Sequence, residues 1–155
     1  MAELQTTYSS TIAKGYPGMV ANGETSNRIS RTVEDAAGIG FGVPVFRGSG
    51  DHGCTATVGT AATMLGWTIA TAGPGLVAGQ TADTYPQYET APIMPRGAIY
   101  IYITGAITDG AAVTIGKGGG VADLYGATAA DATHIDSGWI ADETVTDGVC
   151  RIVKR

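Results

Sequence analysis

Between Ala98 and Thr104 the chain reads Ala-Ile-Tyr-Ile-Tyr-Ile-Thr. Strand side chains alternate between two faces, whereas helical side chains return to one face every 3.6 residues. Ile99, Ile101 and Ile103 therefore share one side and Tyr100 and Tyr102 the other. A strand with large side chains on both faces needs cover on both, which places it at the centre of a sheet or at an interface.

Shorter runs repeat the pattern. Ile39, Phe41, Val43 and Val45 alternate with Gly40, Gly42 and Pro44, and Pro44, lacking a backbone donor, makes that strand an edge or a bulged one. Cys54, Ala56 and Val58 read as a further half-buried strand, as do Leu65, Trp67 and Ile69 alternating with Gly66, Thr68 and Ala70. Residues 107–115 and 145–153 echo one another, and Asp109-Gly110 and Asp147-Gly148 mark tight turns before strands. With 24 glycines, 15% charged residues and few of the straight-chain helix formers, the composition also opposes a helical fold. The expected class is all-β, a β-sandwich or barrel, the jelly-roll being one such form, over residues 38–155. Strand order is not readable from these patterns.

Residues 1–37 differ. Isolated anchors, Tyr8, Ile12, Tyr16, Met19 and Val20, sit among polar residues with neither period, which reads as an extended N-terminal arm. A helical turn over Ser30–Asp35 is expected within it, Ser30 capping and Glu34 and Asp35 near the positive end of the dipole.

Several function classes are excluded. The net charge is −5 and the nine basic residues are scattered, so no nucleic acid partner is expected. The first fourteen residues lack the apolar run of a secretory signal, and no segment approaches the ~20 apolar residues that span a bilayer. A soluble chain made in the cytoplasm, without a membrane partner, follows. Cys54 and Cys150 are the only cysteines and are expected to be free and buried.

The chemical constellations fail on spacing. Asp51-His52-Gly53-Cys54, with His134 and Cys150, has zinc-ligand types but no paired Cys or His spacing, and reads as a glycine-rich turn before a buried cysteine. The same residues lack an oriented base and an oxyanion hole for a nucleophile. Gly110 to Lys117 has five residues where a phosphate loop has four, so Gly118, Gly119 and Gly120 read as a hairpin loop. Gly38-Ile-Gly-Phe-Gly brings its third glycine too early for a dinucleotide fingerprint. Asp131, Asp136, Asp142, Glu143 and Asp147 lack calcium-loop spacing and read as a solvated surface. No catalytic residue, metal or cofactor is expected. Tyr100 and Tyr102 remain as a carbohydrate-stacking face or an oligomer interface.

Three segments carry a resemblance: Ala13-Lys-Gly-Tyr-Pro-Gly-Met; Ala21-Asn-Gly-Glu-Thr-Ser-Asn-Arg-Ile-Ser-Arg-Thr-Val-Glu-Asp; and Gly38-Ile-Gly-Phe-Gly-Val-Pro-Val-Phe-Arg-Gly-Ser-Gly-Asp-His-Gly-Cys. The chain resembles the structural cement proteins of tailed bacteriophages, densely over residues 8–54 and more loosely beyond, where Asp83-Thr-Tyr-Pro-Gln-Tyr-Glu-Thr-Ala is similar to a family segment. The resemblance implies a β-rich accessory protein, dimeric or trimeric, on the outer surface of a capsid and bound to the major capsid protein lattice.

An unpatterned arm cannot offset its own ordering entropy by burial and so needs a partner. Tyr8, Ile12, Tyr16 and Met19 are the expected apolar anchors on capsid subunits, Arg28 and Arg31 the groups meeting acids, and Tyr100 and Tyr102 the expected contact between copies. The alternative from another class is a glycan-binding head or tail module in host attachment.

Overall fold

The computed structural model describes residues 14–23, 26–71, 82–117 and 125–155. Eleven strands follow in order there: β1 (Asn27–Val33), β2 (Ile39–Gly40), β3 (Pro44–Arg47), β4 (Gly53–Thr55), β5 (Met64–Thr68), β6 (Thr84–Tyr85), β7 (Thr90–Ile107), β8 (Ala112–Gly116), β9 (Tyr125–Gly126), β10 (His134–Ala141) and β11 (Val145–Lys154). No α-helix occurs among the described residues, and Ala61–Thr63 forms one 3-10 turn. The all-β expectation holds.

The Ile/Tyr alternation lies in β7, which is 18 residues long and organises the molecule. Its first part pairs with β1 on one edge and β5 on the other, and its second part pairs with β11. Because β1 also pairs with β4, β4 with β3 and β3 with β5, the order β1-β4-β3-β5-β7 returns to β1 and closes a five-stranded barrel. Closure leaves those strands no free edge in the ring. From β7 a second sheet continues as β11-β10-β8-β9.

Each layer has its own core. Val33, Val45, Cys54, Leu65, Ala91 and Ile93 come from all five ring strands and pack with Ile39 and Tyr85 of the small β2–β6 pair. Phe46, Trp67 and Met94 leave the ring on its other side and meet Ile99, Ile101, Ile103, Val113, Ile115, Trp139, Cys150 and Ile152. The larger cluster thus bonds the outside of the barrel to the second sheet.

Register corrects several local expectations. The run from Ile39 to Val45 is not one strand: a turn at Phe41-Gly42 separates β2 from β3. Of the two alternatives for the Pro44 strand the bulge holds and the edge does not: β3 lies between β4 and β5, Pro44 begins it, where a missing donor is tolerated, and the pairing shifts between Val45 and Phe46. The extra residue there is Leu65 of β5, so the parity of β5 flips, and Leu65 enters the smaller cluster and Trp67 the larger instead of sharing a face. Asp109-Gly110 is a turn before β8, but Asp147-Gly148 lies inside β11 at a register shift, with Asp147 at φ 44°. Ser30 to Val33 is strand, not helix, because β7 supplies a ladder that the isolated segment lacks: Ile29 faces Ile93 and Arg31 faces Ala91.

Candidate functional site

The described part of the N-terminal segment lies along β7, in line with β1. Gly18 N donates to Tyr100 O at 2.8 Å, Tyr100 N to Met19 O at 2.9 Å and Ala21 N to Ala98 O at 3.0 Å, with Val20 bridged to Ile99. Gly15 lies on the Tyr100 ring so closely that a Cβ there would be 2.3 Å from Cδ2. Tyr100 is thereby half covered by its own chain, while Tyr102, next on that face, is 48% exposed. Tyr16 is 58% exposed and Met19 partly buried. Val149 and Arg151 of β11 stand opposite Tyr102 and Tyr100.

Of the expected contact residues, Met19 and Tyr100 are therefore brought together and Tyr102 follows on the same face of β7, whereas Tyr16 lies beside Gly40, Phe41 and Asp83. Tyr8 and Ile12 lie outside the described residues. Arg28 and Arg31 are not brought together: three positions apart on a strand, they project to opposite faces, Arg28 exposed and Arg31 partly buried with its Nη1 on Ser30 O.

The Gly-Ser-Gly-Asp-His-Gly motif is built around a carboxylate from another strand's end. Glu34 accepts hydrogen bonds from Gly50 N, Ser49 N and Ser49 Oγ, at 2.8 to 2.9 Å. Any Cβ at Gly48 or Gly53 would meet that carboxylate, at 2.5 and 1.6 Å. Asp35 in turn accepts from Thr55 Oγ1 and Ala56 N. The loop is thus a folded cap, and Asp51 and His52 at its tip are exposed.

These bonds favour the charged carboxylates. The backbone N–H of Gly50, then those of Ser49, hold Glu34 below its ordinary 4.5, and Thr133 with His134 N lowers Asp131 from 3.8 to about 2. A lowered folded-state value gives stability that is present above the ordinary value and lost as pH falls through the folded one. The urea midpoint is expected to fall as pH drops from about 4.5 toward 2, and Glu34→Gln with Asp131→Asn should flatten that acid limb. An unchanged slope in the double variant would show that other groups set it.

Cys54 is fully buried in the ring and Cys150 in the larger cluster, so the two thiols belong to different cores. Burial raises both to about 11. Neither is expected to react with iodoacetamide at pH 8 until denaturant opens the fold; mass spectrometry of one modified native thiol at minutes would contradict this. Among the described residues no three His, Cys, Asp or Glu side chains gather as metal ligands. Among the C-terminal acids, Asp142 pairs with Arg151 at 2.7 Å, Glu143 reaches back to Lys14 of the N-terminal segment at 2.9 Å, and Asp136 accepts from Gly138 N.

One grouping escaped the sequence. Arg96, Lys154 and Arg155 line a common cleft at the junction of the two sheets. Residues so distant in the chain meet only through the β7–β11 register, for which no local pattern exists.

A family model described as structural cement protein (E217 gp24/Pam3 gp6) matches residues 4–154. Among solved structures, a chain from "The capsid of Myoviridae Phage XM1" superposes with a TM-score of 0.66 at 13% identity, covering 99% of this chain and 97% of that one. At that identity the likeness is one of fold. No curated protein matches the chain.

Proposed function

Because the chain belongs to the structural cement protein family, and is in that sense a structural protein of the virion, we propose that it decorates the outer surface of a bacteriophage capsid and stabilises it by non-covalent binding to major capsid protein subunits. The observation that carries this reading is the family match from residue 4 to residue 154, which takes in the N-terminal segment as well as the barrel. Synthesis in the cytoplasm of a bacterial host belongs to the same reading.

The geometry supplies a surface for it. Tyr102 exposes large aromatic area on β7, Tyr16 exposes more in the segment that runs along it, beside Gly40 and Phe41, and Tyr8 and Ile12 precede Tyr16 in the chain. Aromatic anchors of this kind carry interface energy well because they are large and lose few rotamers. Of the arm expected over residues 1–37, the stretches 18–21 and 27–32 pair with β7, so the part before Lys14 is the one that reaches capsid subunits, while the Tyr102 face meets a second or third copy of the chain. Many weak contacts repeated over a lattice raise overall binding by ~10² to 10⁴ without one strong contact.

Cosedimentation with purified shells lacking the protein tests the reading. The full chain is expected to pellet with shells and saturate at a fixed ratio to capsid subunits; a chain that stays in the supernatant refutes it. Deleting residues 1–13 leaves the hydrogen bonds of Gly18 to Ala21 in place and is expected to weaken shell binding at least ~10-fold with the melting temperature unchanged. Undiminished binding would remove the arm from the mechanism.

A second reading has one observation in its favour. Tyr16, Phe41 and Asp83 line a hollow of about 560 Å³, and an aromatic face beside a carboxylate suits a sugar ring. A glycan array separates that head or tail attachment module from a cement protein, as does its place in the particle: over the shell, or confined to a vertex or tail.

A further inference from the structure

At Arg96 and Gly97 both neighbours of β7 change together. On one edge β5, last paired at Trp67 with Met94, gives way to β11, whose Lys154 faces Gly97. On the other, β1, whose Asn27 faces Arg96, gives way to Ala21 against Ala98. The two seams coincide and leave a cleft of about 840 Å³ lined by Ser26, Asn27, Arg96, Gly97, Lys154 and Arg155.

The cleft's charge is at odds with the rest of the molecule. The chain carries 14 acidic and nine basic residues, yet three of the nine line this one cleft and no acidic side chain among the described residues does. The ion pairs among the described residues engage Lys14, His134 and Arg151, not Arg96 or Lys154. Arg96 and Lys154, gathered on one concave wall, focus a positive potential and repel one another, a cost that an anion in the cleft relieves. Guanidinium takes a carboxylate through paired N–H bonds, lysine adds a mobile charge, and Ser26 and Asn27 offer neutral partners at the rim.

We infer that this cleft receives a short acidic segment, two or three carboxylates long, from a capsid subunit. The inference rests on the cementing reading and names the chemistry of one of its contacts. Carboxylates fit better than a phosphate backbone, because a nucleic acid would meet only three cations before running onto a surface whose remaining charge is negative. Glu24, between Gly23 and Ser26 in the chain, is the competing occupant from within the molecule.

The test uses the full chain, a hexaglutamate peptide as probe, and purified shells. Wild type is expected to bind the peptide in low salt and to release it as ionic strength rises. Arg96→Gln with Lys154→Gln should lose peptide binding and lower shell affinity at least ~10-fold with the melting temperature unchanged, and Arg96→Lys should restore part of it. Wild-type binding to shells that the double variant matches overturns the cleft while leaving the cementing reading intact. Failure of wild type to bind shells at all overturns both, even if the peptide binds. Displacement of the peptide by equimolar inorganic phosphate or duplex DNA would reassign the cleft to phosphate, and peptide binding only after Glu24→Gln would reassign it to the chain itself; either outcome overturns the inference.

Discussion

Gly66→Ala is expected to remove about 2 to 6 kcal/mol of folding stability, the sum of backbone strain and overpacking. Gly66 has φ 141°, a conformation that side chains rarely adopt, and it sits where β3 and β5 shift register. A Cβ built there would lie 2.2 Å from the carbonyl oxygen of Met94 and 2.9 Å from the Cα of Pro95. Both atoms are backbone of β7, fixed by neighbours on two edges, so neither can swing aside as a side-chain end would. Domains of this size hold only about 5 to 15 kcal/mol in total, and the variant should unfold at much lower urea or fail to fold. Gly110→Ala is the control. Its φ is 82° but nothing lies within 4 Å of the added carbon, so it should cost about 1 to 2 kcal/mol from strain alone. Equal urea midpoints for the two variants would mean that the Met94 carbonyl yields and that closure of the ring tolerates a side chain at the bulge.

Gly66 also marks the limit of what alternation reveals. The strand through Ile99, Ile101 and Ile103 was legible because its period of two runs unbroken and its residues are β-branched or aromatic. Leu65 and Trp67 have the same spacing and yet enter different cores. A bulge changes parity without changing composition, and the residue that permits it, a glycine inside a strand pattern, reads equally as a small residue on the solvent face. Closure of the ring was hidden for a related reason. It depends on β1 pairing with β7 across some sixty residues, and β1 with the two residues after it carried the stronger local signs of a helix start in Ser30, Glu34 and Asp35. Those two acids do bind backbone N–H groups, but at Ser49, Gly50 and Ala56 instead of in a helix's first turn.

The site divides along the same line. Exposed Tyr16 and Tyr102 were legible as aromatic residues without a core partner in the pattern. The Asp51 to Cys54 segment was legible as a turn before a buried cysteine, whereas the organiser of its loop, Glu34, was not, since the contact spans fifteen residues and depends on glycines leaving room. The basic cleft was least legible of all. Scattered charge along a chain says nothing of charge in space until strand register brings positions 96, 154 and 155 side by side.

Trp67 joins the two layers, and Trp67→Ala is expected to cost about 3 to 5 kcal/mol. Its side chain is fully buried, leaves the ring toward the second sheet, and meets Tyr125 of β9 edge-on at 5.4 Å. Truncation removes that pair, worth about 0.5 to 1.5 kcal/mol beyond its area, and opens a cavity between two sheets whose backbones are each held by their own ladders and so cannot collapse onto it. The indole Nε1 is buried and finds no acceptor among the described residues. Trp67→Phe keeps most of the buried ring, so it should cost clearly less than Trp67→Ala. The chain has two tryptophans, and Trp67→Ala leaves Trp139 of β10 as the sole indole reporter, inside the second sheet. Its emission is expected to shift at lower urea than in wild type, and to do so before the loss of far-ultraviolet ellipticity that reports both layers. A loss below about 1 kcal/mol, far under the cavity range, with the two signals coincident, would mean that β7 alone couples the barrel to the sheet it carries.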